Sequence, residues 1–195
     1  DIINLQFFTK MSKMHLRLFF GSYINPDKIL CKQEMESLQS QFDFPLKLVA
    51  SEKIHLTWKF LGNVEESRLE DLRCCLKKIV QDIQPLFFEF NKVSIWPSYK
   101  KPGVLVLEAR DINGNSVELY KKLTLSLENT GIKIDKKPFK PHVTIVRFKR
   151  TDKCQKPIDI CIKPKQIKID NIHLIQSQTL STGSVYKNLC SFNLE

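Results

Sequence analysis

The chain has 195 residues, of which 42% are hydrophobic and 27% charged. That length and balance suit one folded domain and exclude the disordered classes, and no run of about 18 apolar residues occurs to span a membrane as a helix. The formal net charge of +10 favours a polyanionic partner such as nucleic acid, although a Lys-rich solvated surface accounts for it equally well.

Asp1–Lys10 lacks the basic and apolar regions of a signal peptide. Residues 1–13 are expected to be a tag or loose extension, and 14–195 a single domain. The six cysteines, Cys31, Cys74, Cys75, Cys154, Cys161 and Cys190, form no CxxC pair and show no zinc-ligand spacing. Reduced thiols and a cytoplasmic location are expected.

Leu16–Ile24 reads as an aromatic-rich strand. Asn25 and Pro26 then suit the cap and first position of a helix running to about Gln41. Leu46–Val49 suits a short strand. The pattern Ile54-His55-Leu56-Thr57-Trp58 alternates as a half-buried strand does. Asn63 and Glu66 resemble a capping box. The helix they would open carries Leu69, Leu72, Leu76, Ile79, Val80 and Ile83 and is ended by Pro85.

Phe87–Phe90 and Val93–Trp96 read as strand, and Val104–Ala109 as a central strand. Asp111–Asn115 is a turn, followed by a helix through Leu127 that closes at Gly131. The pattern Pro141-His142-Val143-Thr144-Ile145 repeats the earlier alternation. Ile158–Ile162, Ile167–Ser177 and Tyr186–Leu194 read as three further strands.

In each half, a strand and a helix precede a His-x-Thr strand. This predicts a duplicated α+β unit with both motifs in one cleft. Residues two apart on a strand share a face, so each motif presents an imidazole beside a hydroxyl. Two imidazoles that titrate near neutrality can serve as acid and base, and hydroxyls can donate to phosphoryl oxygens. Such a site needs no metal to open a strained cyclic phosphodiester, and no cofactor is expected. His15 and His173 lack the Thr and read as structural or surface residues.

These residues resemble the 2H phosphoesterase superfamily, and within it the RNA 2′,3′-cyclic phosphodiesterases, also called 2′-5′ RNA ligase-like proteins. The resemblance rests on Leu16-Arg17-Leu18-Phe19, His55 through Gly62, Pro138 through Thr144, Ile175-Gln176-Ser177 and Gly183 through Tyr186. It covers about residues 14–194. Trp58 departs from the aliphatic residue usual there and is expected to alter packing only.

The resemblance implies a bilobal fold, two antiparallel sheets flanking a central cleft with helices outside. It implies His55 as proton donor and His142 as acceptor, with Thr57 and Thr144 holding phosphate oxygens. The near symmetry of the site leaves the reverse order open. Arg17, Lys59 and Phe139 are expected substrate contacts: Lys59 because strand parity puts it on the His55 face, Phe139 as a platform for a base. Arg147 ranks lower, because parity turns it away unless the strand bulges.

The implied function is hydrolysis of RNA 2′,3′-cyclic phosphate ends to 2′-phosphomonoesters. The alternatives are 2′-5′ ligation or cleavage, a non-catalytic RNA-binding module, and hydrolysis of small cyclic nucleotides. The expected partner is RNA, with no membrane and a monomeric state.

Overall fold

The computed structural model describes residues 14–134, 137–181 and 183–194. The expected N-terminal extension, residues 1–13, lies outside them. Strand β1 (His15–Tyr23) is followed by α1 (Lys32–Gln39), β2 (His55–Glu65) and α2 (Leu69–Val80). The hairpin β3 (Leu86–Ser98) and β4 (Lys101–Asp111) leads to α3 (Asn115–Asn129) and β5 (His142–Arg147). The chain ends with β6 (Lys165–Ile169), β7 (Asn171–Leu180) and β8 (Gly183–Asn193).

All eight strands join one antiparallel sheet, in the order β6-β3-β4-β5-β2-β1-β7-β8. The order is symmetric about its centre. β1–α1–β2 and β4–α3–β5 each put a strand, a helix and a His-x-Thr strand in the same relation. The two motif strands β2 and β5 meet in the middle through a single residue pair, Leu56 with Val143. The expected two sheets are thus four-stranded halves that a narrow seam makes continuous.

The core lies on the sheet face that carries Leu56, Trp58, Val143 and Ile145. Helices α2 and α3 pack there through Leu72, Leu76, Leu119 and Leu123, all buried completely. Glu70 and Asp71 in the first turn of α2, and Lys77 and Lys78 in its last, complement the helix dipole. Arg68 ties the two helices, its guanidinium bonding Asp71 and the Thr130 carbonyl, each at 2.9 Å. Trp58 is a packing residue, as expected: its indole N–H donates to Ser22 Oγ at 2.8 Å inside the core.

Several elements differ from the sequence reading. Asn25 caps only the short 3-10 turn Pro26–Lys28, and α1 restarts after Cys31. Glu34 anchors that restart, accepting from the Cys31 N–H at 2.8 Å, the Lys163 N–H at 2.9 Å and the Lys165 ammonium. Asn63 caps nothing, because it pairs with Arg17 in the ladder and β2 runs on to Glu65. Leu46–Val49 contributes one isolated bridge, Leu48 with Val146. Ile158–Ile162 forms no strand. Ile167–Ser177 is two strands rather than one: β6 pairs with β3, while β7 pairs with β1 and β8 at the other end of the sheet.

Candidate active site

His55 and Thr57 share the open face of β2, and His142 and Thr144 that of β5. All four line one cavity of about 280 Å³ that straddles the central seam. The strand alternation explains this directly, since the residues between and beside them, Leu56 and Val143, are fully buried in the core.

The two imidazoles are held alike. His55 Nδ1 lies 2.7 Å from the Lys53 carbonyl oxygen, and His142 Nδ1 lies 2.7 Å from the Lys140 carbonyl oxygen. A carbonyl can only accept, so each Nδ1 carries a proton and each Nε2 is left as the working nitrogen. Aromatic neighbours fix the ring planes. Phe19 and Tyr186 stand 4.9 and 5.1 Å from the His55 ring, and Trp96 stands 4.4 Å from the His142 ring.

Both motif strands carry a bulge just after the Thr. On β2 the register jumps from Thr57↔Gly21 to Lys59↔Phe20, leaving Trp58 extra. On β5 it jumps from Thr144↔Val106 to Val146↔Leu105, leaving Ile145 extra. An extra residue inverts the parity of the residues beyond it. Phe60 and Arg147, each five residues past its His, therefore turn back to line the cavity.

The same inversion corrects the expectation for Lys59. It leaves the His55 face and is only 4% exposed. Its ammonium donates to Tyr120 Oη at 2.7 Å and sits 4.2 Å from the centre of that ring. Arg17 alternates regularly with Phe19 on β1 and lines the cavity as expected, with Ser177 of β7 and Ser184 and Tyr186 of β8 completing that wall.

Burial pushes both imidazoles below the ordinary value of 6.5. The carbonyl bonds oppose this in each. The remaining charges differ: Arg147 and His142 lower His55 further, whereas the Glu108 carboxylate, paired with His142 across the β4–β5 ladder, raises His142. Arg147 and Arg17 line the same cavity and bring positive charge to it.

A family model described as LigT-like phosphoesterase matches residues 30–106. An RNA 2′,3′-cyclic phosphodiesterase of Methanocaldococcus jannaschii is 31% identical over 178 residues, covering 88% of this chain and 97% of that protein. The chain belongs to the LigT-like phosphoesterase family. A relative of the same name from Thermotoga maritima is 29% identical and covers 91% of this chain and 96% of its own length. In fold, a Thermus thermophilus protein superposes with a TM-score of 0.73 at 23% identity, covering 92% of this chain and 98% of that one. Escherichia coli LigT in its apo form gives 0.67 at 20% identity, covering 92% and 98%.

Within this LigT-like site, Phe139 is half-buried and lines a pocket that also holds Thr57 and His142. Its ring stacks on Trp58 at 5.2 Å and on Tyr120 at 5.2 Å, so protein rings lie against it. Among the described residues no group of three or more His, Cys, Asp or Glu side chains is placed to hold a metal ion. All six cysteines are free thiols. No helix among the described residues is long and apolar enough to cross a membrane.

Glu108, Trp96, Phe60, Ser177, Ser184 and Tyr186 are site residues that the sequence reading does not single out. Ser177, Ser184 and Tyr186 fall in the C-terminal segments that carry the resemblance, which is a usable signal. Glu108 and Trp96 become visible only once β3, β4 and β5 are paired.

Proposed function

We propose that the protein hydrolyses RNA 2′,3′-cyclic phosphate ends to 2′-phosphomonoesters by two-histidine acid/base catalysis. The observation that carries this is the pair of Nδ1-anchored imidazoles in one cavity, each beside a Thr hydroxyl. The names of the relatives, RNA 2′,3′-cyclic phosphodiesterase, support the same substrate.

In the proposed reaction, His142 Nε2 takes a proton from water as the water oxygen attacks phosphorus. The P–O3′ bond breaks, and His55 Nε2 gives its proton to the departing O3′. The 2′-phosphate ester remains, beside a free 3′-hydroxyl. Thr57 and Thr144 donate to the non-bridging oxygens, and Arg147 and Arg17 offset the charge that builds on them. Glu108 stabilises the imidazolium formed on His142. Arg147 sharpens the acidity of His55.

A second pocket supports an oligonucleotide rather than a bare nucleotide. It shares Arg147, Ser184 and Tyr186 with the phosphate cavity and adds Lys47, Lys53 and Lys149. Cations in that position suit the next phosphates of an RNA chain. The deciding experiment is phosphorus NMR of the product from a cyclic-phosphate-ended oligonucleotide in EDTA. A 2′-monoester is the expected product. A 3′-monoester, or no turnover without a metal, would overturn the reading.

A further inference from the structure

His173, outside both motifs, sits on the open face of β7, paired with Gly21 of β1 on one side and Ser191 of β8 on the other. Gly21 in turn pairs with Thr57, so His173 lies two strands from the phosphate cavity, about 10 Å across the sheet. A third bulge builds its surroundings. On β8 the register jumps from Ile175↔Asn188 to Leu174↔Cys190, leaving Leu189 extra. Arg73 of α2 fixes that bulge, donating to the Leu189 carbonyl at 2.8 Å. The extra residue brings Asn188 and Ser191 to the same ring.

Ser191 Oγ lies 2.7 Å from His173 Nδ1, and Asn188 Nδ2 lies 2.8 Å from Ser191 Oγ and 3.3 Å from His173 Nδ1. An amide nitrogen can only donate. With Asn188 donating to Ser191 Oγ, the hydroxyl hydrogen points at His173, so both neighbours offer hydrogens to Nδ1. Nδ1 is therefore an acceptor, and the ring proton sits on Nε2. This is the reverse of His55 and His142, whose Nδ1 atoms face carbonyls. Burial pushes His173 below its ordinary value and keeps the ring neutral near pH 7. Tyr23 stands 5.2 Å from this ring. Tyr23 is itself held neutral, its phenol pushed up by burial and then by Tyr186, which lines the phosphate cavity.

We infer that this patch is a second phosphate contact, where His173 Nε2–H and the Tyr23 hydroxyl donate to an internucleotide phosphate of the RNA strand leading to the cyclic end. This rests on the proposed phosphodiesterase reading and assigns the path the strand takes away from that site. Charge selects the direction. Strands β1, β7 and β8 contain no Asp or Glu. The other half of the sheet carries Glu89 and Glu108, paired with Arg110 at 3.1 Å and Lys92 at 3.8 Å. Carboxylates there disfavour a polyanion, and their absence from the His173 side leaves that route open. The patch also continues from the lysine pocket: Lys53 lies two residues before His55, and Tyr23 is the ladder partner of His55. Neutral donors fixed in position suit a phosphate that the lysines draw in.

The test compares a dinucleotide and a hexanucleotide, each ending in a 2′,3′-cyclic phosphate. The longer strand reaches the patch, and the wild-type protein is expected to favour it in kcat/KM. His173→Leu and Tyr23→Phe should each shrink that advantage by about 2- to 10-fold, the size of one hydrogen bond. A wild type with no preference for the longer strand, or an equal loss on both lengths in His173→Leu, would overturn the path. Nitrogen NMR of the His173 ring should show hydrogen on Nε2, and hydrogen on Nδ1 instead would remove the donor.

Binding separates this from a failure of the activity. If neither length is turned over, fluorescence anisotropy with hexauridylate ending in a 2′-phosphate decides. His173→Leu should weaken binding by the same factor and leave the slope of log K against log salt unchanged, because the ring is neutral. Lys53→Gln should reduce that slope by about 0.7, the share of one phosphate contact on a single strand. Unchanged affinity in His173→Leu, or a slope that falls with it, would overturn the patch.

Discussion

Phe60 and Arg147 occupy the same position in the two halves of the sheet. Each lies five residues beyond its motif His, and each is turned into the cavity by one extra residue in its strand. The halves share a backbone device and use it for different chemistry: an apolar ring on one side, a guanidinium on the other.

Arg147→Gln tests that division. In the proposed reaction the arginine faces charge that develops on the phosphoryl oxygens, so kcat/KM is expected to fall by about 10²- to 10³-fold. A second effect has a fixed sign. Burial chiefly, and Arg147 and His142 in lesser part, hold His55 below its ordinary value. Removing the positive charge lets His55 hold a proton to higher pH. The acid-group limb of the pH–rate profile should therefore move upward, read from kcat/KM against pH.

Glu108→Gln should act oppositely on His142. Burial lowers that imidazole, and the Glu108 carboxylate raises it. Without the carboxylate the base is weaker and titrates lower. The base-group limb should move to lower pH, and kcat should drop about tenfold. A profile unchanged in both limbs would remove Glu108 from the account.

The two lowered imidazoles of the site, together with His173, which burial also lowers, bear on stability. A histidine that titrates lower when folded binds fewer protons than in the unfolded chain, so its contribution is present above the ordinary value and is lost as pH falls through the folded one. The protein should lose stability below about pH 6.5. The double variant His55→Asn, His142→Asn should show a flatter dependence in urea melts across that range.

Glu34 gives the reverse case. Burial alone would raise its carboxyl, but the Cys31 N–H, the Lys165 ammonium and the Lys163 N–H bring it down to about 2. A lowered acid stabilises the fold above its unfolded value and loses that contribution as pH falls through the folded one. Glu34→Gln should cost about 2 kcal/mol near neutrality. The difference from wild type should vanish as the pH approaches 2, monitored by circular dichroism.

The candidate centre is legible in the sequence because it follows the simplest rule of a strand. His55 with Thr57, and His142 with Thr144, need only period-two alternation to share a face. The duplicated order is legible for the same reason. The positions one bulge further are not. Unbroken parity misplaces both Lys59 and Arg147, because the extra residues Trp58 and Ile145 invert it.

Pairing partners are equally hidden. The apolar phase of Ile167–Ser177 shifts from Ile167 and Ile169 to Ile172 and Leu174, but that shift does not say that the chain changes partners at Asp170, whose carbonyl accepts from Leu194 at 2.8 Å. Alternation reports which face a side chain takes and says nothing of which strand lies beside it. Ile158–Ile162 alternates too, but it finds no ladder partner, so no strand forms.

The most direct test of the central claim is turnover of a cyclic-phosphate-ended oligonucleotide by His55→Ala and by His142→Ala, in EDTA. Loss of the acid or the base should each lower kcat by about 10²- to 10⁴-fold, with both proteins still folded by circular dichroism. Undiminished turnover in both variants would contradict the account.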